Sequence, residues 1–244
     1  MGAGRRVCWA VHGYTALGLV LAGLAAVFIV EGGDRGLRAA LLLLLLAAVV
    51  DATDGWLARR FQVSEALPSV DGRRLDDLVD FHTHVSLPLF LLWRMELFSE
   101  GLAWILLLPL LASAYGFSRV DAKTADGYFV GFPSYWNVVA FYFFVLAPPA
   151  WLAGTLLLAL TALVFVPTRY LYPSSHGGGL ERWTTLLGWL WSVLVLVILL
   201  EVPERVELWA LLSLAFPAFY IAASFWVSRD GRGDSREGGV KLPS

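Results

Sequence analysis

Apolar residues occur in long blocks along most of this chain, and charged residues gather in the short segments between the blocks. Examples of such blocks are residues 39–50, 104–112 and 186–200. A helix needs roughly 20 mainly apolar residues to cross the hydrocarbon core of a bilayer. Inside a bilayer a helix also satisfies its own backbone hydrogen bonds. The pattern therefore predicts an all-α, polytopic membrane protein.

Eight segments are apolar and long enough to be predicted as membrane spans. Pro148 and Pro149 separate the fifth from the sixth, because proline ends a helix, and residues 201–204 separate the seventh from the eighth. We expect one membrane domain over residues 1–228, followed by a disordered cytoplasmic tail over residues 229–244 that is rich in Gly and charge. The predicted spans are 9–30, 37–59, 75–96, 101–118, 134–148, 150–170, 182–201 and 206–228.

Basic residues are distributed unevenly between the two predicted sides of the membrane. With an even number of spans, both termini lie on one side. Of the 18 Lys and Arg, the opposite side carries only Arg35, Arg38, Arg94 and Arg205. Lys and Arg accumulate in cytoplasmic loops, so this bias predicts that both termini face the cytoplasm.

The composition narrows the possible functions. The chain is 58% apolar and 16% charged, and its formal net charge is −2. This charge gives no argument for a nucleic-acid partner. The single cysteine, Cys8, excludes an internal disulfide and a cysteine-based metal site.

Four carboxylates lie at helical spacing where the second predicted span ends and the third begins. Asp51 and Asp54 are three residues apart, so they share one helix face. Asp76 and Asp80 are four residues apart on the next helix. Such charges would repel one another when close together, and divalent cations remove that repulsion. Hard carboxylate oxygens suit Mg²⁺ or Mn²⁺, so the pattern predicts a metal site formed by all four.

Small residues and an arginine accompany these carboxylates. Gly55, Ala58 and Gly72 lack bulk and allow a ligand or another helix to approach the backbone. Arg59 offers a planar guanidinium that is suited to phosphate oxygens. Each residue taken alone also fits a helix cap, a packing contact or a positive-inside anchor. Together they favour a site for metal ions and a nucleotide diphosphate.

These positions resemble the signature of the CDP-alcohol phosphotransferases, D-x2-D-G-x2-A-R-xn-G-x3-D-x3-D. The gap of twelve residues (60–71) between Arg and Gly is longer than in most members and resembles the bacterial members whose acceptor is choline. Residues 11–18 and 122–137 resemble the same members. The fixed positions are matched by Asp51, Asp54, Gly55, Ala58, Arg59, Gly72, Asp76 and Asp80.

The resemblance implies an enzyme of phospholipid synthesis in the bacterial inner membrane, with its active site facing the cytoplasm. It also implies a homodimer. It implies transfer of the phosphatidyl group of CDP-diacylglycerol to choline, which gives phosphatidylcholine and CMP, with two Mn²⁺ or Mg²⁺ ions. By the resemblance, Asp51, Asp54 and Asp76 are metal ligands, and Asp80 is the general base and shares a metal. The residues expected to contact the nucleotide are Thr15, Gly55, Ala58, Arg59 and Gly72.

Further candidates concern the lipid phosphate and the choline. Arg119 and Lys123 follow the fourth predicted span and are expected to hold the lipid phosphate. A quaternary ammonium is bound mainly by aromatic faces. His82 and His84 are two residues apart and lie on different helix faces, so no joint metal site is expected. The candidates for choline are His82, Tyr115, Asp126, Trp136 and Asn137, within a wider aromatic set that also includes Phe117, Phe132 and Tyr135.

Two other functions fit part of the pattern. The same family includes enzymes with other acceptors, such as phosphatidylserine and phosphatidylglycerophosphate synthases. An ion-coupled transporter would also explain carboxylates within the membrane. A transporter would leave the spacing of the Gly, Ala and Arg positions unexplained, and the chain shows no inverted repeat of the kind found in transporters.

Overall fold

The computed structural model of the protein describes residues 3–122, 124, 128–171, 179–201 and 205–237. Within these residues the chain is almost entirely helical, as predicted. Four helices are long and apolar enough to cross a membrane: 4–31, 33–60, 182–199 and 206–228. Three shorter apolar helices cover 103–118, 136–146 and 150–165.

The elements are numbered in chain order. The helices are α1 (Ala3–Glu31), α2 (Gly33–Arg60), α3 (Val63–Ala66), α4 (Gly72–Asp80), α5 (Leu87–Arg94), α6 (Leu107–Ser118), α7 (Trp136–Leu146), α8 (Ala150–Phe165), α9 (Gly179–Leu199), α10 (Val206–Ser213) and α11 (Ala215–Glu237). A π-helical turn (Phe81–Ser86) joins α4 to α5, and a 3₁₀ turn (Ala103–Leu106) precedes α6. The strands are β1 (Tyr128–Val130) and β2 (Arg169–Leu171).

Helices α1 and α2 form a hairpin that places the first two predicted spans side by side. The turn uses Gly32 and Gly33, whose φ angles of 68° and 67° favour glycine. Just beyond it, Gly36 lies so close to Phe28 that a Cβ atom would be 2.7 Å from the Phe28 carbonyl oxygen. The hairpin therefore depends on small residues where the two backbones approach each other.

The third predicted span is a continuous helical rod from Gly72 to Arg94, built from α4, the π turn and α5. Asp71 caps its first turn, since its Oδ1 accepts hydrogen bonds from the backbone N–H groups of Arg73 and Arg74 at 3.1 and 3.2 Å. The π turn begins directly after Asp80. Such turns often mark functional sites.

The residues between α2 and α4 fold back onto α1. They include the short helix α3, and Val63 and Leu67 are buried against Cys8 and Val11 of α1. The Cys8 thiol also lies 3.7 Å from the Phe61 carbonyl oxygen. The long gap in the motif is therefore an ordered segment with its own small apolar core.

The large apolar core is centred on α2, α5 and α7. Trp136 is fully buried there, and its indole N–H donates to the Ser113 hydroxyl at 2.8 Å. The Tyr142 hydroxyl accepts from the Trp191 indole at 3.0 Å and lies 2.9 Å from the Ser213 hydroxyl. These polar contacts tie α7 to α6, α9 and α10.

A short antiparallel β ribbon was not predicted. In it, β1 pairs with β2, and Phe129 lies opposite Tyr170. Gly131 follows with φ of 88°, and a Cβ atom there would overlap the Val164 carbonyl oxygen. The ribbon shortens the sixth predicted span, which ends at Phe165 instead of residue 170. Val166 leaves the helix because it precedes Pro167, which disfavours helical dihedrals in the preceding residue.

The last predicted span, 206–228, is divided at Leu214 into α10 and α11. The division places Pro217 in the first turn of α11, where proline is tolerated. Helix α11 extends to Glu237, into the segment from residue 229 that the sequence predicts to be disordered. Extending an existing helix costs much less than starting one. Residues 238–244 lie outside the described part of the chain.

Large apolar side chains cover the outer surface. Trp104 and Trp151 are each 72% exposed, and Trp183 is 62% exposed. An exposed apolar surface of this extent is a liability in water and is suited to lipid. The structure is thus that of an all-α membrane protein with a small β ribbon.

Candidate active site

The end of α2 and the rod of α4 and α5 bring the four predicted carboxylates into two groups. Asp51, Asp54 and Asp76 form the first, in which one oxygen from each residue lies within 4.8 Å of the others. Asp54 is buried and only 6% exposed. The predicted convergence of the two helices on one acidic site is confirmed.

The second group contains a residue that sequence reasoning did not include. Asp51 and Asp80 are joined by His84, again with one ligand atom from each within 4.8 Å of the others. The His84 Nε2 atom lies 3.9 Å from Asp51 Oδ2, and its Nδ1 atom lies 3.8 Å from Asp80 Oδ1. A signal existed, because His84 continues the row of Asp76 and Asp80 at a spacing of four residues.

The two histidines of the π turn point in different directions, as predicted. His84 is buried and faces the acidic site. His82 is exposed, and its Nδ1 atom lies 2.9 Å from the Leu78 carbonyl oxygen.

Helix α1 supports the acidic site through hydroxyl groups. The Thr15 hydroxyl donates to Asp54 Oδ2 at 2.7 Å, a short bond to a charged acceptor. The Tyr14 hydroxyl lies 2.8 Å from the Thr53 hydroxyl. The Thr53 hydroxyl donates its proton to the carbonyl oxygens of the preceding turn. Tyr14 is therefore the donor in its hydrogen bond with Thr53. Both contacts hold α1 against the end of α2.

The remaining motif residues make local contacts. The guanidinium of the exposed Arg59 lies over Gly55, where a Cβ atom would be 3.2 Å from Nη1. A Cβ atom at Gly72 would be 3.0 Å from the imidazole of His12. Ala58 packs on the apolar cluster between α1 and α3. These positions thus pack closely around the acidic site.

A cavity of about 640 Å³ opens beside the second acidic group. We call Asp51, Asp77, Asp80 and His84 its acidic wall. We call Phe117, Phe129, Phe132 and Tyr135 its aromatic wall. Further lining comes from Arg73, Gly116, Arg119, Val120, Ala122, Thr124, Val130, Gly131, Pro133, Ser134 and Val164.

The two walls meet at Tyr135. Its ring centroid lies 6.4 Å from that of His84 and 6.0 Å from that of Tyr220. Phe117 packs edge-to-face on Phe81, with centroids 5.5 Å apart. Aromatic faces attract organic cations through the negative charge of the ring face. The cavity therefore places an aromatic surface next to carboxylates.

Four of the residues predicted to contact choline lie away from the cavity. Trp136 is in the core because its ring is needed between α7 and α6. Tyr115 is 49% exposed and stacks on Phe165. Asn137 Oδ1 accepts from the Val138 backbone N–H at 2.9 Å, and His82 is on the outside of the rod. None of these four lines the cavity, whereas Phe117, Phe132 and Tyr135 of the wider aromatic set do. Asp126 lies outside the described residues.

Arg119 lines the cavity. Its guanidinium is hydrogen-bonded to the side chain of Asp121. Its Nε and Nη2 atoms donate to the Asp121 carboxylate at 2.8 and 2.7 Å. These hydrogen bonds hold the pKa of the Asp121 carboxyl below its usual value and raise the pKa of Arg119. Lys123, the other residue predicted for this phosphate, lies outside the described residues.

Two residues of the cavity were overlooked in the sequence. They are Arg73 and Asp77, which lie outside the motif and were not among the site candidates. Both line the cavity. Asp77 is half-buried, next to Asp76 on the same helix. Helical spacing places both on the face of the rod that carries Asp80 and His84, since Asp77 precedes Asp80 by three residues and Arg73 precedes Asp77 by four.

The donor set suits divalent cations. Two groups share Asp51, and each offers three ligand atoms within 4.8 Å. If two ions bind, Asp51 would therefore contribute a ligand to each of them. Oxygen donors predominate, which suits Mg²⁺ and Mn²⁺.

Comparison with known proteins agrees with the geometry. The family model of the CDP-alcohol phosphatidyltransferases matches residues 13–168. The chain belongs to this family. The match spans α1 to the end of α8 and contains both acidic groups.

Curated relatives are similar over most of their length. A phosphatidylcholine synthase of Pseudomonas aeruginosa is 34% identical over 90% of this chain and 91% of its own. The phosphatidylcholine synthase of Legionella pneumophila is 33% identical over 89% of this chain and 87% of its own. That of Bradyrhizobium diazoefficiens is 35% identical over 90% of this chain and 81% of its own.

Proposed function

We propose that this protein transfers the phosphatidyl group of CDP-diacylglycerol to choline, forming phosphatidylcholine and CMP. The observation that carries the proposal is the cavity in which an aromatic wall adjoins the acidic wall. The relatives that are named phosphatidylcholine synthases support choline as the acceptor. Choline needs a base for its hydroxyl and aromatic faces for its quaternary ammonium, and both are present in this cavity.

The acidic residues would hold two divalent cations, Mn²⁺ or Mg²⁺. Asp51, Asp54 and Asp76 would bind one ion, and Asp51 with Asp80 would contribute to the other. Bound there, the ions would neutralise charge on the diphosphate and on the departing CMP. Thr15 keeps Asp54 oriented through its 2.7 Å hydrogen bond.

In the transfer itself, Asp80 would act as the general base. It would accept the proton of the choline hydroxyl while the hydroxyl oxygen forms a bond to the phosphatidyl phosphorus. The bond between this phosphorus and the bridging oxygen of CMP would break, and CMP would leave with the electron pair. Asp80 is suited to this role because it lines the cavity at the acidic wall, adjacent to the aromatic wall.

The remaining basic residues would bind the phosphates. We propose that Arg59 turns from its position over Gly55 towards the diphosphate, and that Thr15, Ala58 and Gly72 border the nucleotide. Arg119 and Lys123 would hold the lipid phosphate. Arg119 is at the cavity, and only two of its nitrogen atoms are used in the pair with Asp121.

The proposed topology has eight spans, with both termini and the active site in the cytoplasm of a bacterial inner membrane. The four long helices, the three shorter apolar helices and the rod from Gly72 to Arg94 would supply the eight crossings. The distribution of Lys and Arg supports the orientation. The homodimer that the family resemblance implies would be tested by cross-linking in membranes.

An acceptor panel tests the function. The purified protein in lipid nanodiscs would receive CDP-diacylglycerol with a labelled phosphatidyl group, Mn²⁺ or Mg²⁺, and one alcohol: choline, serine, glycerol phosphate or inositol phosphate. We expect labelled phosphatidylcholine and CMP with choline only, and no product after treatment with EDTA. Product with serine or glycerol phosphate instead would assign another acceptor. Absence of CMP with every alcohol would refute the transferase.

A further inference from the structure

We propose that His84 is a nitrogen ligand to the divalent ion held by Asp51 and Asp80, and that it makes this position selective for a transition-metal ion over Mg²⁺. The inference rests on the proposed two-metal site and adds a ligand that the motif lacks. His84 is 8% exposed and lies within the second acidic group.

The distances suit a shared ion. Ligands held about 2.2 Å from one ion lie roughly 3 to 4.4 Å from one another. The His84 Nε2 atom is 3.9 Å from Asp51 Oδ2, and one ring nitrogen of His84 and one oxygen from each of Asp51 and Asp80 all lie within 4.8 Å of one another. The separation of 3.8 Å from Asp80 Oδ1 is measured to His84 Nδ1. These separations exceed hydrogen-bond length and fall within the range expected for ligands that share one ion.

The neighbouring hydroxyl selects the tautomer of His84. Thr83 Oγ1 lies 3.1 Å from the Val79 carbonyl oxygen and 3.1 Å from His84 Nδ1. A carbonyl oxygen only accepts, so the single hydroxyl proton of Thr83 goes to Val79. Both contacts are then satisfied only if His84 Nδ1 carries a proton and donates to Thr83. In this tautomer Nε2 has a free lone pair, and Nε2 is the atom nearer to Asp51.

This arrangement is typical of metal-binding histidines, which donate their second ring N–H to a nearby acceptor. The π turn makes it possible, because it carries Thr83 and His84 immediately after Asp80. Mg²⁺ prefers oxygen ligands and retains its waters, whereas first-row transition ions accept imidazole. The nitrogen donor therefore favours ions such as Mn²⁺ over Mg²⁺.

Pulsed electron paramagnetic resonance of the Mn²⁺-loaded protein in nanodiscs tests the inference, because it detects nitrogen bound directly to Mn²⁺. We expect nitrogen coupling in the wild type and in His82→Gln, the matched control on the same turn. We expect His84→Gln to lose the coupling. Its affinity for Mn²⁺ relative to Mg²⁺, measured by titration, should fall about tenfold or more.

Absence of nitrogen coupling in the wild type would overturn the proposal, and this measurement does not depend on the folding of any variant. Coupling that persists in folded His84→Gln would also overturn it, since another residue would then be the ligand. The result is separable from the proposed function. A protein with nitrogen-coupled Mn²⁺ and no transfer activity refutes the transferase alone, and an active transferase without the coupling refutes the role of His84 alone.

Discussion

The acidic wall and the aromatic wall border the same cavity, but the chain builds them in different ways. The acidic wall comes from α2 and the rod of Gly72 to Arg94, where regular helical spacing aligns its carboxylates. The aromatic wall combines Phe117 at the end of α6 with Phe132 and Tyr135 from the segment between β1 and α7. Its geometry depends on the β ribbon and on Gly131.

The difference separates two kinds of chemistry. Metal ions and a base at the acidic wall would serve any acceptor alcohol of the family. Of the two walls, the aromatic wall offers the ring faces that bind a quaternary ammonium. We therefore expect substitutions in the acidic wall to abolish transfer, and substitutions in the aromatic wall to alter the use of choline.

The largest effect is expected from Asp80→Asn. The amide cannot accept the hydroxyl proton, and a general base contributes typically 10² to 10⁴ to the rate. We expect kcat to fall by at least about a hundredfold, while CDP-diacylglycerol still binds within a few-fold of the wild type. Stopped-flow CMP release and equilibrium binding of the lipid nucleotide measure the two quantities.

The control for that variant is Asp71→Asn, the same substitution at the start of the same rod. Asp71 caps α4 away from the cavity lining, and asparagine is an equally good cap, so near-normal turnover is expected. Near-normal turnover of Asp80→Asn itself would rule out the assignment of the base.

The helical part of the site was predictable because helical spacing is a local property. Asp51 and Asp54 on one helix and Asp76 on the next could be expected to converge. The same spacing rule places His84 on the face of Asp76 and Asp80. The contact between Thr83 and His84 does not follow from spacing, because it depends on the π turn.

The aromatic wall was not predictable from spacing. Trp136 and Tyr135 are adjacent in the sequence, but the start of α7 sends Trp136 into the core and leaves Tyr135 at the cavity. The ribbon pairs Phe129 with Tyr170 across a large sequence separation. Only tertiary packing decides such features.

A smaller, more specific effect is expected from Tyr135→Ala. A desolvated cation–π contact contributes about 1 to 2 kcal/mol, so loss of this ring should raise the KM for choline by roughly tenfold. The KM for CDP-diacylglycerol should change by less than about threefold. Steady-state kinetics with each substrate varied in turn provides both values.

Tyr115→Ala is the matched control, because Tyr115 was a sequence candidate that the structure leaves on the surface against Phe165. Its choline KM should remain within about twofold of the wild type. A larger rise for Tyr115→Ala than for Tyr135→Ala would reverse the assignment of the aromatic wall.

The smallest effect concerns the Arg119–Asp121 pair, which belongs to neither wall. The hydrogen bonds from Arg119 depress the pKa of Asp121, so the pair is fully formed above the ordinary carboxyl pKa and is lost only as the pH falls through the lowered value. Between about pH 5 and 8 the pair should therefore contribute no pH dependence to the activity.

Because Asp121 is exposed, we expect Asp121→Asn to change the KM for CDP-diacylglycerol by about twofold or less. Its pH profile should run parallel to that of the wild type, and a divergence within this range would show that the pair controls the access of Arg119 to the lipid phosphate.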